Sequence, residues 1–186
     1  MRVPDSVSLL FRNIIVNSII GAKWFPRPLR PWALRTYGIA VGKCLLMSEM
    51  FFDGKNFKNV TIADDAVLNN QIYIDASDKV SIGARTGIAS RCRILTATHQ
   101  IGDHHQRMGE MTSRPVTIGA GVWIGADTTV LPGVTIDDGV VIGAGSLVTE
   151  DCESDAIYVG RPARLLRRLA VDSGEVAPAP PVESDE

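Results

Sequence analysis

The stretch Ile118-Gly-Ala-Gly-Val-Trp-Ile124-Gly-Ala-Asp-Thr-Thr-Val130-Leu-Pro-Gly-Val-Thr-Ile136-Asp-Asp-Gly-Val-Val-Ile142-Gly-Ala-Gly-Ser-Leu-Val148 sets an aliphatic residue at every sixth position. Glycine follows the aliphatic directly at Gly119, Gly125 and Gly143. Val122, Thr128, Val134, Val140, Ser146 and Cys152 sit four residues on, so each hexapeptide carries one large and one small inward side chain. A helical period would scatter the aliphatics around the cylinder, and strict alternation would force Ala120, Ala126, Asp138 and Ala144 onto the aliphatic face. Short flat strands joined by tight turns satisfy both columns, with Gly where the backbone needs positive φ or close approach. The pattern predicts a mainly β fold, a parallel β-helix of hexapeptide repeats in which no coil is stable without its neighbours.

Upstream the register returns at Ile62, Leu68 and Ile74, slips by two residues across Asp75 to Lys79, and resumes at Ile82, Ile88 and Ile94. The slip marks a bulge or corner. Between the two blocks the sixth positions are Gln100, Gln106 and Thr112, which cannot fill an aliphatic column. Residues 100 to about 115 are therefore predicted to leave the coil as a protruding loop that begins directly after His99. A long loop on a rigid scaffold is the first place to look for a site.

The 186 residues are 45% hydrophobic with a formal net charge of −2, enough for one solenoid domain with appendages and without the basic excess of a nucleic-acid binder. Cys44, Cys92 and Cys152 form no CxxC pair, and Cys92 and Cys152 fall on small inward positions. They read as buried thiols of a reducing cytoplasm. No stretch reaches the roughly 18 apolar residues that span a bilayer, and no secretory leader is evident, so a cytoplasmic location is expected.

The expected organisation is a helical lead-in and first irregular coil over residues 1–56, the repeats over 57–158, a terminal segment over 159–170 and a tail over 171–186. The tail, with five acids, no base and Pro178, Pro180 and Pro181, is expected to be disordered. In the lead-in, Ser8 to Ile20 forms a broad apolar helical face that Pro26, Pro28 and Pro31 limit downstream. Packing on the solenoid is its default role. Seven bases against one acid in residues 1 to 45 make peripheral contact with an anionic membrane surface the sharper alternative.

Five segments carry a resemblance: Ile94-Leu-Thr-Ala-Thr-His99, Pro115-Val-Thr-Ile-Gly-Ala-Gly-Val-Trp-Ile-Gly125, Leu131-Pro-Gly-Val-Thr-Ile136, Val141-Ile-Gly-Ala-Gly-Ser146 and Val159-Gly-Arg-Pro-Ala-Arg164. Over roughly residues 57 to 168 the chain resembles the hexapeptide-repeat acyltransferases, in the group of galactoside, maltose and exopolysaccharide O-acetyltransferases. The resemblance implies a left-handed coil, a short C-terminal helix, a homotrimer with clefts between subunits, acetyl-CoA as co-substrate and no metal.

Moving an acyl group from a thioester to a hydroxyl needs a base for the hydroxyl proton, and imidazole suits that task near neutrality. His99, at the edge of the loop, is the expected catalytic base. No Ser or Cys stands out as a nucleophile, which favours direct attack by the acceptor hydroxyl on the acyl-CoA carbonyl. By resemblance, a backbone amide near Ala126 meets the oxyanion, Asn69 contacts the thioester region, and Trp123 covers the CoA cleft. By the same resemblance Ala144 and Thr149 touch the pantetheine arm and Arg164 and Arg167 approach CoA phosphates. Read without it, Asn69 is a turn residue and the arginines a solvated basic end. Glu150, where several relatives have Lys, would repel a phosphate.

Asp103, His104 and Glu110 in the loop are candidates for binding a sugar acceptor. Residues 29 to 42 look like the lead-in of exopolysaccharide-type enzymes, which favours a glycan or sugar-derivative acceptor. Three alternatives stand beside this reading. His99 and His104 have a spacing used by zinc carbonic anhydrases of the same solenoid class, although a catalytic zinc wants a third protein ligand. The others are a sugar N-acetyltransferase and a non-catalytic β-helix scaffold.

Overall fold

Backbone hydrogen bonds run from coil to coil, and three inward columns run the length of the solenoid. The computed structural model describes residues 5–170, so the expected disordered tail lies outside the described residues. The first face stacks β1 (Ala40–Val41), β4 (Val60–Ile62), β7 (Val80–Ile82), β12 (Val116–Ile118) and β15 (Thr135–Ile136). The second stacks β2 (Leu45–Leu46), β5 (Val67–Leu68), β8 (Gly87–Ile88), β13 (Trp123–Ile124), β16 (Val141–Ile142) and β18 (Ala156–Gly160), with β19 (Ala163–Arg168) at its end. The third stacks β3 (Phe51–Asp53), β6 (Tyr73–Asp75), β9 (Arg93–Ile94), β14 (Thr129–Val130) and β17 (Leu147–Val148).

Apart from the terminal β18–β19 pair, pairing within these faces is parallel and keeps the sixfold register. Down the first face Val41 meets Ile62, Ile82, Ile118 and Ile136 in turn, and down the second Leu46 meets Leu68, Ile88, Ile124 and Ile142. All of these are buried, as are the small residues Val122, Thr128, Val134, Val140, Ser146 and Cys152. The polar members of that small set turn their hydroxyls onto nearby carbonyls: Thr128 Oγ1 donates to Gly125 O at 2.8 Å and Ser146 Oγ to Gly143 O at 2.7 Å. The glycines that follow each aliphatic serve close approach, since a Cβ on Gly125 would lie 2.5 Å from Ala144 N. Positive φ falls instead on corner residues such as Arg91 and Asp127, whose side chains pair across neighbouring coils.

Two expectations are corrected. The excursion after the third coil is an ordered two-stranded arm rather than a loop, and it starts earlier, with β10 (Ala97–Ile101) pairing antiparallel to β11 (Met108–Ser113). A segment that leaves the stack loses its coil partners, so its amides and carbonyls pair with each other. The expected C-terminal helix is absent among the described residues, and β19 folds back on β18 as an antiparallel hairpin. The sixth coil leaves β18 with an open ladder edge, and a strand satisfies those backbone groups where a helix would not.

The other end of the stack is closed by helix. α1 (Asp5–Asn13) continues as a π-helical segment over Ile14–Ile20, and α2 (Arg30–Thr36) follows a proline-rich turn. Val16 and Ile20 are buried against the first coil. The Asn17 amide both donates to Phe52 O and accepts from Phe52 N, each at 2.9 Å. The outer side chains Leu10, Phe11, Ile14 and Ile19 remain exposed, and among the described residues no helix is long and apolar enough to cross a membrane.

Arg30 pins this cap. It is 0% exposed and its guanidinium donates to the carbonyls of Ile20, Leu46, Ala22 and Phe25 at 2.6 to 3.0 Å. Burial first, and then the neighbouring Arg27, lowers its pKa, and the four carbonyls compensate the buried charge. Replacing it, as Arg30→Met, leaves those acceptors unmet. The expected loss is about 3 kcal/mol, or roughly 6–12 °C in Tm by calorimetry. An unchanged Tm would contradict the role of Arg30 as a clamp.

Candidate active site

The arm stands where the third face turns toward the first, and it carries His99 on β10 opposite Met111 of β11. Residues directly opposite in a ladder share a side, as do residues two apart along a strand. Ala97, His99, Met111 and Ser113 therefore occupy one side of the arm, and Thr98 and Thr112 the other. His99 is exposed, and its Nδ1 lies 2.9 Å from the Gly109 carbonyl oxygen. A carbonyl can only accept, so in the neutral ring the proton sits on Nδ1. Nε2 then presents its lone pair outward as a proton acceptor.

Ala97 and Met111 also line a cleft of about 560 Å³, whose other walls include Leu9 and Asn13 of α1, Asp53 and Tyr73. The cleft is rich in groups that recognise hydroxyls. Tyr73 donates to Asp53 Oδ2 at 2.8 Å, and its ring stacks on Phe51 at a centroid distance of 5.7 Å. Burial first, then the bond to Asp53, pushes the Tyr73 phenol up and keeps it protonated. Asn13 Oδ1 is buried and meets no hydrogen-bond partner among the described residues. None of these residues belongs to a repeat position that sequence periodicity marks, because each is brought in by the helical cap or by the outward register of the third face.

The loop candidates divide. Asp103 Oδ1 accepts from His105 N at 2.9 Å and Gln106 N at 3.2 Å, which builds the turn at the tip of the arm. His104 lies there against His105, the two rings tilted by 41°. Glu110 neighbours Met111 in sequence and so faces away from His99. Among the described residues of one chain no three His, Cys, Asp or Glu side chains converge as a metal site.

The remaining candidates lie on other edges of the triangular section. Trp123 points outward from the second face, 62% exposed, beside the space left by Gly87. Ala126 and Ala144 occupy the corner between the second and third faces on consecutive coils, joined by the 2.7 Å bond from Gly145 N to Ala126 O. Asn69 follows β5 at the same corner, two coils or about 10 Å further along the axis. Thr149 follows β17 on the edge that bears the arm. Arg164 on β19 reaches Glu150 at 3.6 Å, and Arg167 pairs opposite Ile157. Within one chain the arm edge and the Trp123 face are thus separate.

Residues 115–150 match the family model described as bacterial transferase hexapeptide (six repeats). The chain folds as a β-helix of hexapeptide repeats. It is 38% identical over 119 residues to the galactoside O-acetyltransferase of Escherichia coli (strain K12), covering 62% of this chain and 53% of that one. A chain of Staphylococcus aureus (strain MRSA252) is 36% identical over 118 residues, covering 63% of this chain. The chain spans about three fifths of that relative's length, 59%. Among solved structures, a maltose O-acetyltransferase from Clostridium difficile 630 superposes with a TM-score of 0.78 at 28% identity, covering 89% of this chain and 88% of the other. A galactoside acetyltransferase in complex with coenzyme A gives 0.75 at 27% identity, covering 91% and 84%.

The hexapeptide-repeat core holds its thiols out of reach. Cys92 Sγ donates to Gly125 O at 3.2 Å, and burial pushes its pKa up to about 11 and that of Cys152 up to about 12. Neither is a nucleophile at neutral pH. Iodoacetamide treatment of the native protein at about pH 8 is expected to leave both unmodified by mass spectrometry. Rapid alkylation of Cys92 would reopen the question of a thiol nucleophile.

Proposed function

We propose that the chain is a CoA-dependent O-acyltransferase, with acetyl as the group moved and a hydroxyl of a sugar or cell-envelope glycan as the acceptor. The observation that carries this reading is His99 held by Gly109 as an Nδ1–H tautomer, on the side of the arm that faces the cleft. The similar proteins are O-acetyltransferases of galactoside and maltose, a galactoside acetyltransferase being solved with coenzyme A, and they support the donor and the acceptor class.

In this reading the acceptor lies in the cleft, with Asp53 and Tyr73 available to its hydroxyls. His99 Nε2 takes the proton of the attacking hydroxyl as the new C–O bond forms, and returns it to the departing sulfur as the C–S bond breaks. The oxyanion needs donors fixed in advance. Among the described residues no hydrogen bond within the chain engages the Ala126 N–H, so it is available for that task. The buried thiols favour direct transfer without an acyl-enzyme.

Ala126, Trp123 and Ala144 lie away from the arm of their own chain, so a complete site needs a second copy. The second face favours such an assembly. Its outward column, Leu45, Val67, Gly87, Trp123, Val141 and Ile157, is apolar, whereas the first face presents Thr61, Ser81, Thr117 and Thr135. A continuous apolar strip of this kind is costly to leave in water and fits a homotrimer in which the arm of one copy meets Trp123 of the next.

The non-catalytic scaffold is favoured by one observation, that Glu150 already engages Arg164 and so competes with a CoA phosphate. The His99→Ala variant separates the readings. It is expected to lose on the order of 10³-fold in thiol release from acetyl-CoA while keeping its oligomeric state and acetyl-CoA binding by calorimetry. Undiminished turnover would sink the base assignment. Absence of acetyl-CoA binding at about millimolar ligand would favour the scaffold.

A further inference from the structure

The two-residue slip of the register between Ile74 and Ile82 has a physical product, a socket for the foot of the arm. Asp75, at the end of β6, is only 7% exposed, yet its carboxylate meets no cation among the described residues. Backbone amides hold it instead. Oδ2 accepts from Thr96 N at 3.1 Å and Ala97 N at 2.6 Å, and Oδ1 accepts from Ser77 N at 2.9 Å. Thr96 Oγ1 donates to the Asp75 carbonyl at 2.8 Å and accepts from Asp78 N at 3.0 Å. The other foot is tied to the same insertion, since Ser113 Oγ donates to Asp78 Oδ2 at 3.3 Å.

We infer that Asp75 is a positioning residue for His99, anchoring the foot of the arm so that the imidazole keeps its place on the side of the arm whose Ala97 and Met111 line the cleft. The inference rests on His99 being the base. Ala97, whose amide Asp75 holds, lies two residues or roughly 7 Å along the strand from His99. A tilt of roughly 10° at the foot would displace the imidazole by about 1 Å, a misplacement that can cost on the order of 10²-fold in rate. A buried carboxylate at this place is otherwise unexplained by the sixfold pattern, which needs only an outward residue here. Burial alone would raise its pKa, but the bonds from Ser77, Ala97 and Thr96 outweigh that and hold the carboxyl below its usual range. It is therefore charged at neutrality and grips the amides at full strength.

Asp75→Asn keeps the shape but sets an amide N–H against one group of its donors. In the full chain, turnover is measured by thiol release from acetyl-CoA with the best acceptor of a methyl-glycoside panel. The expected result is a fall of about 10- to 100-fold in kcat with KM for acetyl-CoA unchanged. Amide hydrogen exchange is expected to rise over residues 96–113 and to stay unchanged in the coils from 116 to 148. Thr96→Val, which removes only the hydroxyl contacts, should give the same local exchange with a smaller rate loss, and it serves if Asp75→Asn does not fold. Wild-type turnover in these variants, or exchange that rises equally through all coils, would overturn the inference. Failure of the base assignment is separately visible. An active His99→Ala removes the catalytic premise whatever the Asp75 variants do, whereas an inactive His99→Ala beside a fully active Asp75→Asn overturns the positioning role alone.

Discussion

The structure depends on one constraint: each short strand can satisfy its amides and carbonyls only through the coil above and the coil below. That condition holds every coil to the same path, and it turns the sixfold aliphatic register into three continuous columns such as Phe52, Ile74, Ile94, Val130 and Val148 on the third face. It also dictates what happens where the stack stops. At one end α1 and the π-helical turn cover the first coil, with Arg30 gathering carbonyls that have no strand partner. At the other, β19 folds back on β18. Solenoids need such caps because an uncovered terminal coil exposes both its columns and its ladder.

The same constraint explains the arm. Gln100, Gln106 and Thr112 cannot fill a column, so the chain must leave the stack, and once outside it pairs with itself as β10 and β11. Self-pairing supplies the rigidity that the proposed base requires. The Gly109 carbonyl that fixes His99 comes from the opposite strand of the arm, and Asp75 fixes the foot to a coil. The register slip and the register gap, separate irregularities along the chain, meet at Thr96 and Ala97. They form one device for holding an imidazole beside a cleft.

The large-and-small pattern made the columns legible residue by residue from Ile62 to Val148, because inward side chains answer to a local period. The place where the coil breaks was legible for the same reason, and with it the position of His99. The ordered pairing of the arm was not, since the period says only that residues leave and not what they pair with. The terminal segment, a helix by resemblance alone, is a strand because the open edge of β18 decides its conformation, and the polar and apolar mix of Ala163 to Arg168 marks neither. Asp53 and Tyr73 fall on no position that the period marks, and Asp75 shows in the sequence only as the start of the register slip, because their meaning emerges only when the cap, the third face and the arm are brought together.

The central claim is that the arm presents His99 as a base through Nε2, with Nδ1 committed to the Gly109 carbonyl. Nitrogen-15 NMR of the His99 ring in the full chain, with the imidazole neutral, tests it most directly. The account predicts the proton on Nδ1 and a bare Nε2. A ring protonated on Nε2, or one that averages freely between the two tautomers, would contradict it.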